Sequence, residues 1–283
     1  MELETLAIVG LGLIGGSVGL AARRALPDLH IIGVDRDGET LVRSRERGIV
    51  HEIAPSVAVT SAASADMILF CTPVDSLVEL VLTAAVSVRP GAVLTDAGST
   101  KSTVVNEIEK YLCPGIHFVG GHPLAGSEKQ GLQYADAELF RDRAVVLTPT
   151  ANTDKHAAEG VAAFWKALGA RVVCMTPEEH DHAVALTSHL PHLVASALSG
   201  ILPRELADLT ASGFRDTTRI AASDPALWSA IFSANRDEVL DALTLLEERL
   251  QRFRTALESD DKSEMHKLLA AGRELRKLLN GPG

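Results

Sequence analysis

A short apolar run followed at once by three spaced glycines constrains the fold of this chain more than any other feature of its sequence. The residues Leu-Ala-Ile-Val at positions 6–9 show the all-apolar pattern of a parallel strand that is buried on both faces. The sequence GLGLIG follows at positions 10–15, and positions 14–26 can continue as a helix that ends near Pro27. A strand, a glycine turn and a helix in this order predict an α/β fold with a parallel sheet.

The spacing of these glycines indicates a dinucleotide-binding loop. Gly10 allows the tight turn, Gly12 lets a pyrophosphate approach the backbone, and Gly15 lets the helix pack closely on the strand. The phosphates would lie at the positive N-terminal end of the helix, beside Leu13 and Ile14. A glycine-rich turn without a ligand is the alternative, and the residues that follow argue against it.

An acidic residue ends the second predicted strand at the distance that such a loop requires. Positions 30–34 are predicted to form this strand, and Asp35 lies 20 residues after Gly15. A carboxylate at this spacing accepts hydrogen bonds from the adenosine ribose hydroxyls and repels a 2′-phosphate. We therefore expect NAD as the cofactor rather than NADP, although the neighbouring Arg36 weakens this preference.

Further predicted strands deliver polar residues to one edge of the sheet. The strand predicted at 66–71 is followed by Thr72 and Pro73, the strand at 92–95 by Ser99, and the strand at 116–119 by His122. Open parallel sheets bind ligands at the carboxyl ends of their strands, so these residues should share one rim, with Thr72, Pro73 and Ser99 beside the cofactor. We expect a Rossmann-type, doubly wound, mainly parallel sheet that the strands predicted at 144–147 and 171–174 extend.

The sequence GGHPLAGSE at positions 120–128 is the first candidate for chemistry. It places His122 between glycines and a proline directly after a predicted strand, where a side chain can face a cleft. A histidine that only caps the loop backbone is the alternative. The shared rim with the cofactor residues favours His122 as a catalytic base.

The second half of the chain has a helical pattern. We predict a dinucleotide-binding domain over residues 1–175 and an all-α domain over 176–283, with a long helix at 178–202 that Pro191 kinks. A narrow apolar seam runs along a later helix, and it either joins two subunits or packs within one. Its residues are Leu243, Leu246, Leu250, Phe253 and Leu257.

Two arginines surrounded by hydroxyl residues form the second candidate for chemistry. Arg215 and Arg219 could hold carboxylate groups by paired hydrogen bonds, or they could make only surface salt bridges. Arg219, next to an apolar stretch, is the better candidate for a cleft. His189 and His192 share one helical face, but no obvious ligand set accompanies them, and we predict no metal site.

Composition excludes several classes of function. A net charge of −10 argues against a nucleic-acid partner, because the chain as a whole lacks the basic surface that binding to a phosphate backbone requires. Three widely separated cysteines indicate reduced thiols and a cytoplasmic protein. The uncharged stretch at 5–22 is preceded by acidic residues and broken by glycines, so we expect neither a signal peptide nor a membrane span.

Taken together, these motifs resemble the prephenate and arogenate dehydrogenases of tyrosine biosynthesis over nearly the whole chain. The first motif is shared with many dehydrogenases, whereas the later ones in this order are specific. The resemblance is carried by VGLGLIGGS at 9–17, DAGSTK at 96–101, GHPLAG at 121–126, SHLPH at 188–192 and FRDTTRIA at 214–221. The family implies an NAD(P)-binding N-terminal domain, a helical C-terminal dimerisation domain and an active site in the cleft between them.

Residue by residue, the resemblance assigns roles at the candidate site. His122 matches the family's catalytic histidine, and Ser99 matches a serine that contacts the substrate hydroxyl and the nicotinamide region. Arg219 matches an arginine that holds a substrate carboxylate, while Glu128 and His189 match residues of the substrate pocket.

The activity implied is oxidative decarboxylation of prephenate to 4-hydroxyphenylpyruvate, or of arogenate to tyrosine. A homodimer and inhibition by tyrosine at the active site are implied as well. Another two-domain dehydrogenase, of the β-hydroxyacid or pyrroline-carboxylate reductase type, and a non-catalytic NAD sensor are the alternatives.

Overall fold

The computed structural model describes residues 3–126 and 129–279, with the side chains of positions 60 and 61 left out. The chain divides into two compact units, of which the first ends at Arg236 and the second begins at Asp237. Every residue of the candidate site falls within the first unit.

A fully parallel sheet of six strands organises the first unit, in the order β3-β2-β1-β4-β5-β6. This order reverses direction between β1 and β4, as in doubly wound dinucleotide-binding sheets, so the predicted fold class is confirmed. The strands are β1 Thr5–Val9, β2 His30–Val34, β3 Glu52–Ala54, β4 Met67–Phe70, β5 Val93–Asp96 and β6 His117–Val119.

Helices cover both faces of this sheet, because alternate residues of each strand point to opposite sides. In β1, Leu6 and Ile8 join one hydrophobic cluster, whereas Ala7 and Val9 join another. Burial on both faces accounts for the all-apolar strands in the sequence. The helices of this region are α1 Leu13–Ala25, α2 Gly38–Glu46, α3 Thr60–Ala63, α4 Val74–Ala85, α5 Ser102–Tyr111 and α6 Lys155–Ala167.

A separate sheet of three strands follows, formed by β7 Gly121–Pro123, β8 Ala144–Leu147 and β9 Arg171–Cys174. The prediction that the last two strands extend the large sheet is therefore wrong. The cause is β7, which pairs antiparallel with β8 and places His122 opposite Val146. The backbone of Gly120 and Gly121 approaches Thr148 and Asp96 so closely that no side chain would fit at either glycine.

Helices make up the remainder of the first unit. They are α7 Pro177–Val184, α8 Leu190–Gly200, α9 Ser212–Thr218 and α10 Pro225–Ala234. A π-helical turn, Ala185–His189, joins α7 to α8, so the long predicted helix is interrupted just before Pro191. Proline has no N–H to donate and clashes with the carbonyl four residues earlier, and a widened turn at this point relieves that conflict. The predicted start of α10 is confirmed, since the Asp224 side chain caps it and Pro225 is its first residue.

Helices α7 and α10 contact α5 and α4, so by packing they belong to the first unit. The sequence places them instead in a second domain, and a domain boundary near residue 175 stays a prediction.

The second unit is a pair of helices, α11 Arg236–Glu258 and α12 Lys262–Leu279. Arg249 donates from Nη2 to the carbonyl of Leu268 at 2.9 Å, and Arg252 pairs with Glu264 at 2.6 Å. Two leucines of the predicted seam are largely exposed, Leu250 at 56% and Leu257 at 71%. None of the described helices combines the length and the hydrophobicity that a membrane-spanning segment needs.

Candidate active site

The glycine loop between β1 and α1 has the geometry that a dinucleotide needs. A side chain at Gly10 would meet the carbonyl oxygen of Cys71 at 2.8 Å, and one at Gly15 would meet the carbonyl oxygen of Gly10 at 2.0 Å. At Gly12, by contrast, no atom of the described residues beyond its own neighbours in the chain lies within 4 Å of where a side chain would begin. The loop is thus tight against the protein and open toward the side where phosphates would approach.

The first turn of α1 leaves its N-terminal amide groups available for an anion. Gly12 caps the helix without a side-chain hydrogen bond, and the first turn, which begins at Leu13 and Ile14, contains no acidic residue. Arg23 and Arg24 lie in the last turn, where they complement the helix dipole. These features fit a pyrophosphate at the N-terminus of α1.

Asp35 lies at the end of β2 and is tied to the glycine loop. Its Oδ2 accepts a hydrogen bond from the N–H of Leu11 at 2.8 Å, and its Oδ1 accepts one from the N–H of Asp37 at 3.0 Å. Each carboxylate oxygen keeps further acceptor capacity, which ribose hydroxyls could use.

Thr72 and Pro73 follow β4 and lie beside the glycine loop. The Cγ2 atom of Thr72 lies 3.2 Å from where a side chain at Gly10 would begin. Thr72 Oγ1 is buried and has no hydrogen-bond partner among the described residues, as expected for a group that a cofactor would satisfy. Pro73 is exposed at the start of α4. Burial raises the pKa of the neighbouring Cys71 thiol, which keeps it protonated and unreactive.

A fully buried ion pair between Asp96 and Lys101 supports the rim after β5. Asp96 also accepts hydrogen bonds from the N–H of Gly98 at 2.8 Å and from the N–H of Gly121 at 2.9 Å. One carboxylate thereby joins the loop that carries half-buried Ser99 to the strand that carries His122. These hydrogen bonds bring together the segment after β5 and the segment after β6, as expected from the sequence.

His122 is half-buried in the middle of β7 and forms the first link of a polar chain. Its Nδ1 lies 2.8 Å from Nε2 of His180, which comes from α7. His180 Nδ1 lies 2.7 Å from Oδ1 of Asp181, and both of these residues are buried. Asp181 also accepts the N–H groups of Lys101 and Ser102, each at 2.8 Å, at the start of α5.

The surroundings keep His122 neutral. Burial lowers the pKa of His122 well below its ordinary 6.5, and the positive charge of Lys101 together with the neighbouring His180 and His189 adds to this effect. Burial raises the pKa of the Asp181 carboxyl, but the hydrogen bonds from His180, Ser102 and Lys101 outweigh it, and the net pKa lies below 3.8. A neutral imidazole and a carboxylate are the forms that a general base and its support require.

His189 is buried at the junction of the π-helical turn and α8, and Asn235 holds it. The Nδ2 group of Asn235 donates to the carbonyl of Asp181 at 2.8 Å and to Nδ1 of His189 at 3.1 Å. Because an amide nitrogen can only donate, His189 Nδ1 accepts and its proton resides on Nε2. Burial lowers the pKa of His189 to about 4, so this ring is neutral as well.

The two candidate arginines lie in exposed positions. Arg215, on α9, donates from Nε to Thr210 Oγ1 at 3.3 Å. Arg219 begins a short 3₁₀ turn, Arg219–Ala222, that packs against α8 just beyond His189. Glu128 lies outside the described residues. The substrate roles of these three residues stay predictions.

No site role was predicted from the sequence for three residues of this cluster, His180, Asp181 and Asn235. Each lies far along the chain from His122, and only the docking of α7 and α10 brings them into the site. The pair His180–Asp181 on a helix was the available signal, since adjacent imidazole and carboxylate groups can hydrogen-bond. Across the ranges 3–126 and 129–279, no three His, Cys, Asp or Glu side chains are grouped to hold a metal ion.

Comparison with known proteins agrees with this geometry. A family model described as prephenate dehydrogenase, nucleotide-binding domain, matches residues 18–174. A second, described as prephenate dehydrogenase, dimerization domain, matches residues 176–271.

Individual relatives match over most of their length. Prephenate dehydrogenase of Bacillus subtilis is 36% identical, over 96% of this chain and 75% of the relative. The solved prephenate dehydrogenase of A. aeolicus, in complex with hydroxyphenyl propionate and NAD+, superposes with a TM-score of 0.92 at 33% identity, over 99% of both chains. Synechocystis arogenate dehydrogenase has a TM-score of 0.83 at 30% identity, over 97% of this chain and 99% of that one. With its nucleotide-binding loop, its neutral strand-borne histidine and these matches, the chain belongs to the prephenate dehydrogenase family.

Proposed function

We propose that this protein catalyses the NAD-dependent oxidative decarboxylation of prephenate to 4-hydroxyphenylpyruvate, or of arogenate to tyrosine. The observation that carries the proposal is a half-buried histidine, kept neutral, on the same rim as a loop shaped for a dinucleotide. The resemblance in the later motifs and the family membership support the same reaction.

His122 acts as the general base of this reaction. When bound, NAD⁺ supplies the acceptor for the hydride that leaves the ring carbon bearing the hydroxyl. Loss of the hydride leaves positive charge at that carbon, and His122 relieves it by accepting the hydroxyl proton. The ring carboxylate then leaves as CO₂, its electron pair enters the ring, and His122 returns the proton to the oxygen as the ring becomes aromatic. Substrate and NAD⁺ are thus converted to the phenol, CO₂ and NADH with no net proton released.

The other site residues orient the reactants. Ser99, half-buried in the segment between Asp96 and Lys101, contacts the ring hydroxyl and the nicotinamide region. Arg219 binds a substrate carboxylate, with Arg215, Glu128 and His189 around the rest of the substrate. Correct placement of reacting groups alone lowers a barrier by several kcal/mol, so no covalent intermediate is needed.

The cofactor preference follows from Asp35. Gly10, Gly12, Gly15, Leu13 and Ile14 would hold the pyrophosphate, and Thr72 and Pro73 would face the cofactor from the neighbouring strand end. The Asp35 carboxylate favours the ribose hydroxyls of NAD over the 2′-phosphate of NADP. The NAD+ complex of the A. aeolicus protein supports this choice.

The protein works as a homodimer through its helical part. Several leucines on α11 and α12 are exposed, and exposing many apolar side chains to water is unfavourable. Their exposure supports a subunit interface on these helices. The match to a family model described as a dimerization domain supports it too.

Tyrosine, which has the same phenol ring as the product, would compete with the substrate at the active site. A cytoplasmic location stays a prediction from composition.

The test is a rate assay with two substrates and two cofactors. The purified protein is mixed with prephenate or arogenate and with NAD⁺ or NADP⁺, and formation of the reduced cofactor is followed by absorbance. We expect turnover with NAD⁺ and one or both substrates. No turnover in any of the four combinations would overturn the proposal, and turnover with NADP⁺ alone would overturn the cofactor preference.

A further inference from the structure

The chain of hydrogen bonds behind His122 has a direction that is set at its far end. Asp181 is a carboxylate and can only accept, so His180 must carry its proton on Nδ1 to bond it. Nε2 of a neutral His180 is then an acceptor, and the 2.8 Å contact with His122 is complete only if His122 donates from Nδ1. The lone pair of His122 is thereby placed on Nε2.

We propose that His180 and Asp181 are positioning residues that fix His122 in the tautomer whose Nε2 is free to accept the substrate proton. The inference rests on the proposed role of His122 as the base. A free imidazole interconverts between two tautomers, and only the one with a bare nitrogen toward the substrate can act as base. A buried carboxylate performs this service for the catalytic histidine of serine proteases, where its amide variant loses activity because the tautomer is wrong.

The same hydrogen-bond chain of His122, His180 and Asp181 also stabilises the imidazolium form of His122 after it has accepted the proton. Once Nε2 of His122 is protonated, both ring nitrogens carry hydrogen, and Nδ1 still donates to His180. The negative charge of Asp181 lies one ring further on, so it stabilises the cation without pairing with it directly. Lys101 opposes this, since its ammonium lowers the pKa of His122, and a base that binds its proton weakly can return it to the aromatic product.

Asn235, which is hydrogen-bonded to Asp181, sets the opposite tautomer in a second ring. The Asp181 carbonyl receives the Asn235 amide that donates to His189, so the proton of His189 lies on Nε2. One residue of α7 therefore links a ring with a bare Nε2 to a ring with a protonated Nε2.

Nitrogen-15 NMR of the histidine rings reads the tautomer directly. The protein contains ten histidines, and the signal of His122 is identified by its loss in His122→Asn. At neutral pH we expect His122 to show a protonated Nδ1 and an unprotonated Nε2. A protonated Nε2 in the wild-type protein would overturn the proposal. This measurement needs no substrate, so it stands apart from any failure of the proposed reaction.

Kinetics of matched variants tests the consequence. His180→Phe keeps a ring of similar size and leaves the Asp181 bonds to α5 in place, but it removes the acceptor for His122. We expect its kcat to fall by about 10²-fold or more, with the KM for NAD⁺ near the wild-type value. His180→Gln can still present an acceptor oxygen to His122, so it should recover part of that loss. His182→Gln changes an exposed histidine of the same helix and should leave kcat unchanged.

A purely structural role predicts a different pattern. His180→Phe and His180→Gln would then lower thermal stability and raise both KM values, while the tautomer of His122 stayed as in the wild type. That result, or a wild-type kcat in His180→Phe, would overturn the proposal. Asp181→Asn is a weaker probe, because an amide cannot accept both N–H groups at the start of α5 and still accept from His180.

Discussion

The carboxylate of Asp35 accepts a hydrogen bond from the backbone N–H of Leu11, 2.8 Å away and 24 residues earlier in the chain. The acidic end of β2 and the glycine loop are thus one structural piece. Because Leu11 lies between Gly10 and Gly12, a change at Asp35 reaches both the ribose and the phosphate parts of the predicted cofactor site.

Asp35→Ser should reduce the preference for NAD over NADP. The substitution removes the charge that repels a 2′-phosphate, and Arg36 remains to attract it. We expect the ratio of kcat/KM for NAD⁺ to that for NADP⁺ to fall by about 10-fold or more, as one charge-assisted contact implies. The ratio is the measurement to use, since loss of the Leu11 contact could weaken both cofactors equally. An unaltered ratio would show that Asp35 does not face the ribose.

His122→Asn should lower kcat by about 10²-fold or more, the usual loss when a general base is removed. Asparagine is polar and smaller than histidine, so the strand should still form, and the KM for NAD⁺ should stay near wild type. The experiment is steady-state kinetics beside a thermal unfolding curve. A kcat equal to that of the wild type in a folded variant would exclude His122 as the base.

The sequence was sufficient to predict five of the six strands of the large sheet, because these strands are largely buried on both faces, whereas the short and less buried β3 was not predicted. Runs such as positions 6–9 and 67–70 are apolar throughout, and the glycines and Asp35 fix the order of the first elements. The second sheet was not predictable in the same way. Its strand β7 is only Gly-His-Pro, and glycine and proline are poor strand formers that reveal nothing about pairing.

The positions of His180 and Asp181 behind His122 could not be predicted from the sequence for a different reason. His122 and His180 are 58 residues apart, and their contact depends on how α7 docks against α5. Helical periodicity says which face of α7 is apolar, but His180 and Asp181 are polar residues buried on that helix. Their burial is favourable only because Lys101, Ser102 and His122 supply partners, which local pattern cannot reveal.

Arg219→Ala should raise the KM for the substrate about 10- to 100-fold, corresponding to the ~1.5–3 kcal/mol of a hydrogen bond to a charged group. Arg215→Ala is the comparison, because this exposed arginine already donates to Thr210 and lies four residues away. Substrate titrations of both variants at saturating NAD⁺ decide between them. A rise in KM with Arg215→Ala alone would assign the carboxylate to Arg215 instead.

Lys101→Met should destabilise the protein by about 3–5 kcal/mol, since it leaves the carboxylate of Asp96 buried without its cation. The hydrogen bonds from Gly98 and Gly121 compensate only part of that charge. Lys101 is the N-cap residue of α5, and Lys110→Met changes an exposed lysine near the other end of that helix, which should shift stability by no more than about 0.5 kcal/mol. Urea denaturation of the two variants gives both free energies. Equal unfolding midpoints would show that the buried pair contributes little.

The stability of the protein should fall as the pH drops below about 6.5, the ordinary pKa of histidine. Burial lowers the pKa of His189 to about 4 in the folded state, so between these values the unfolded chain binds a proton that the folded chain does not. The unfolded state is therefore stabilised relative to the folded state as pH falls. The free energy of unfolding decreases by up to about 1.4 kcal/mol per pH unit for one such group. His122, whose pKa is lowered in the same direction, adds to this decrease.

His189→Gln separates this effect from general acid denaturation. Glutamine does not titrate, so the variant should lose less stability than the wild type between pH 6.5 and about 4, even if it is less stable at pH 7. The measurement is the free energy of unfolding in urea at several pH values in that window. Parallel curves for the two proteins would mean that His189 is not held neutral by burial.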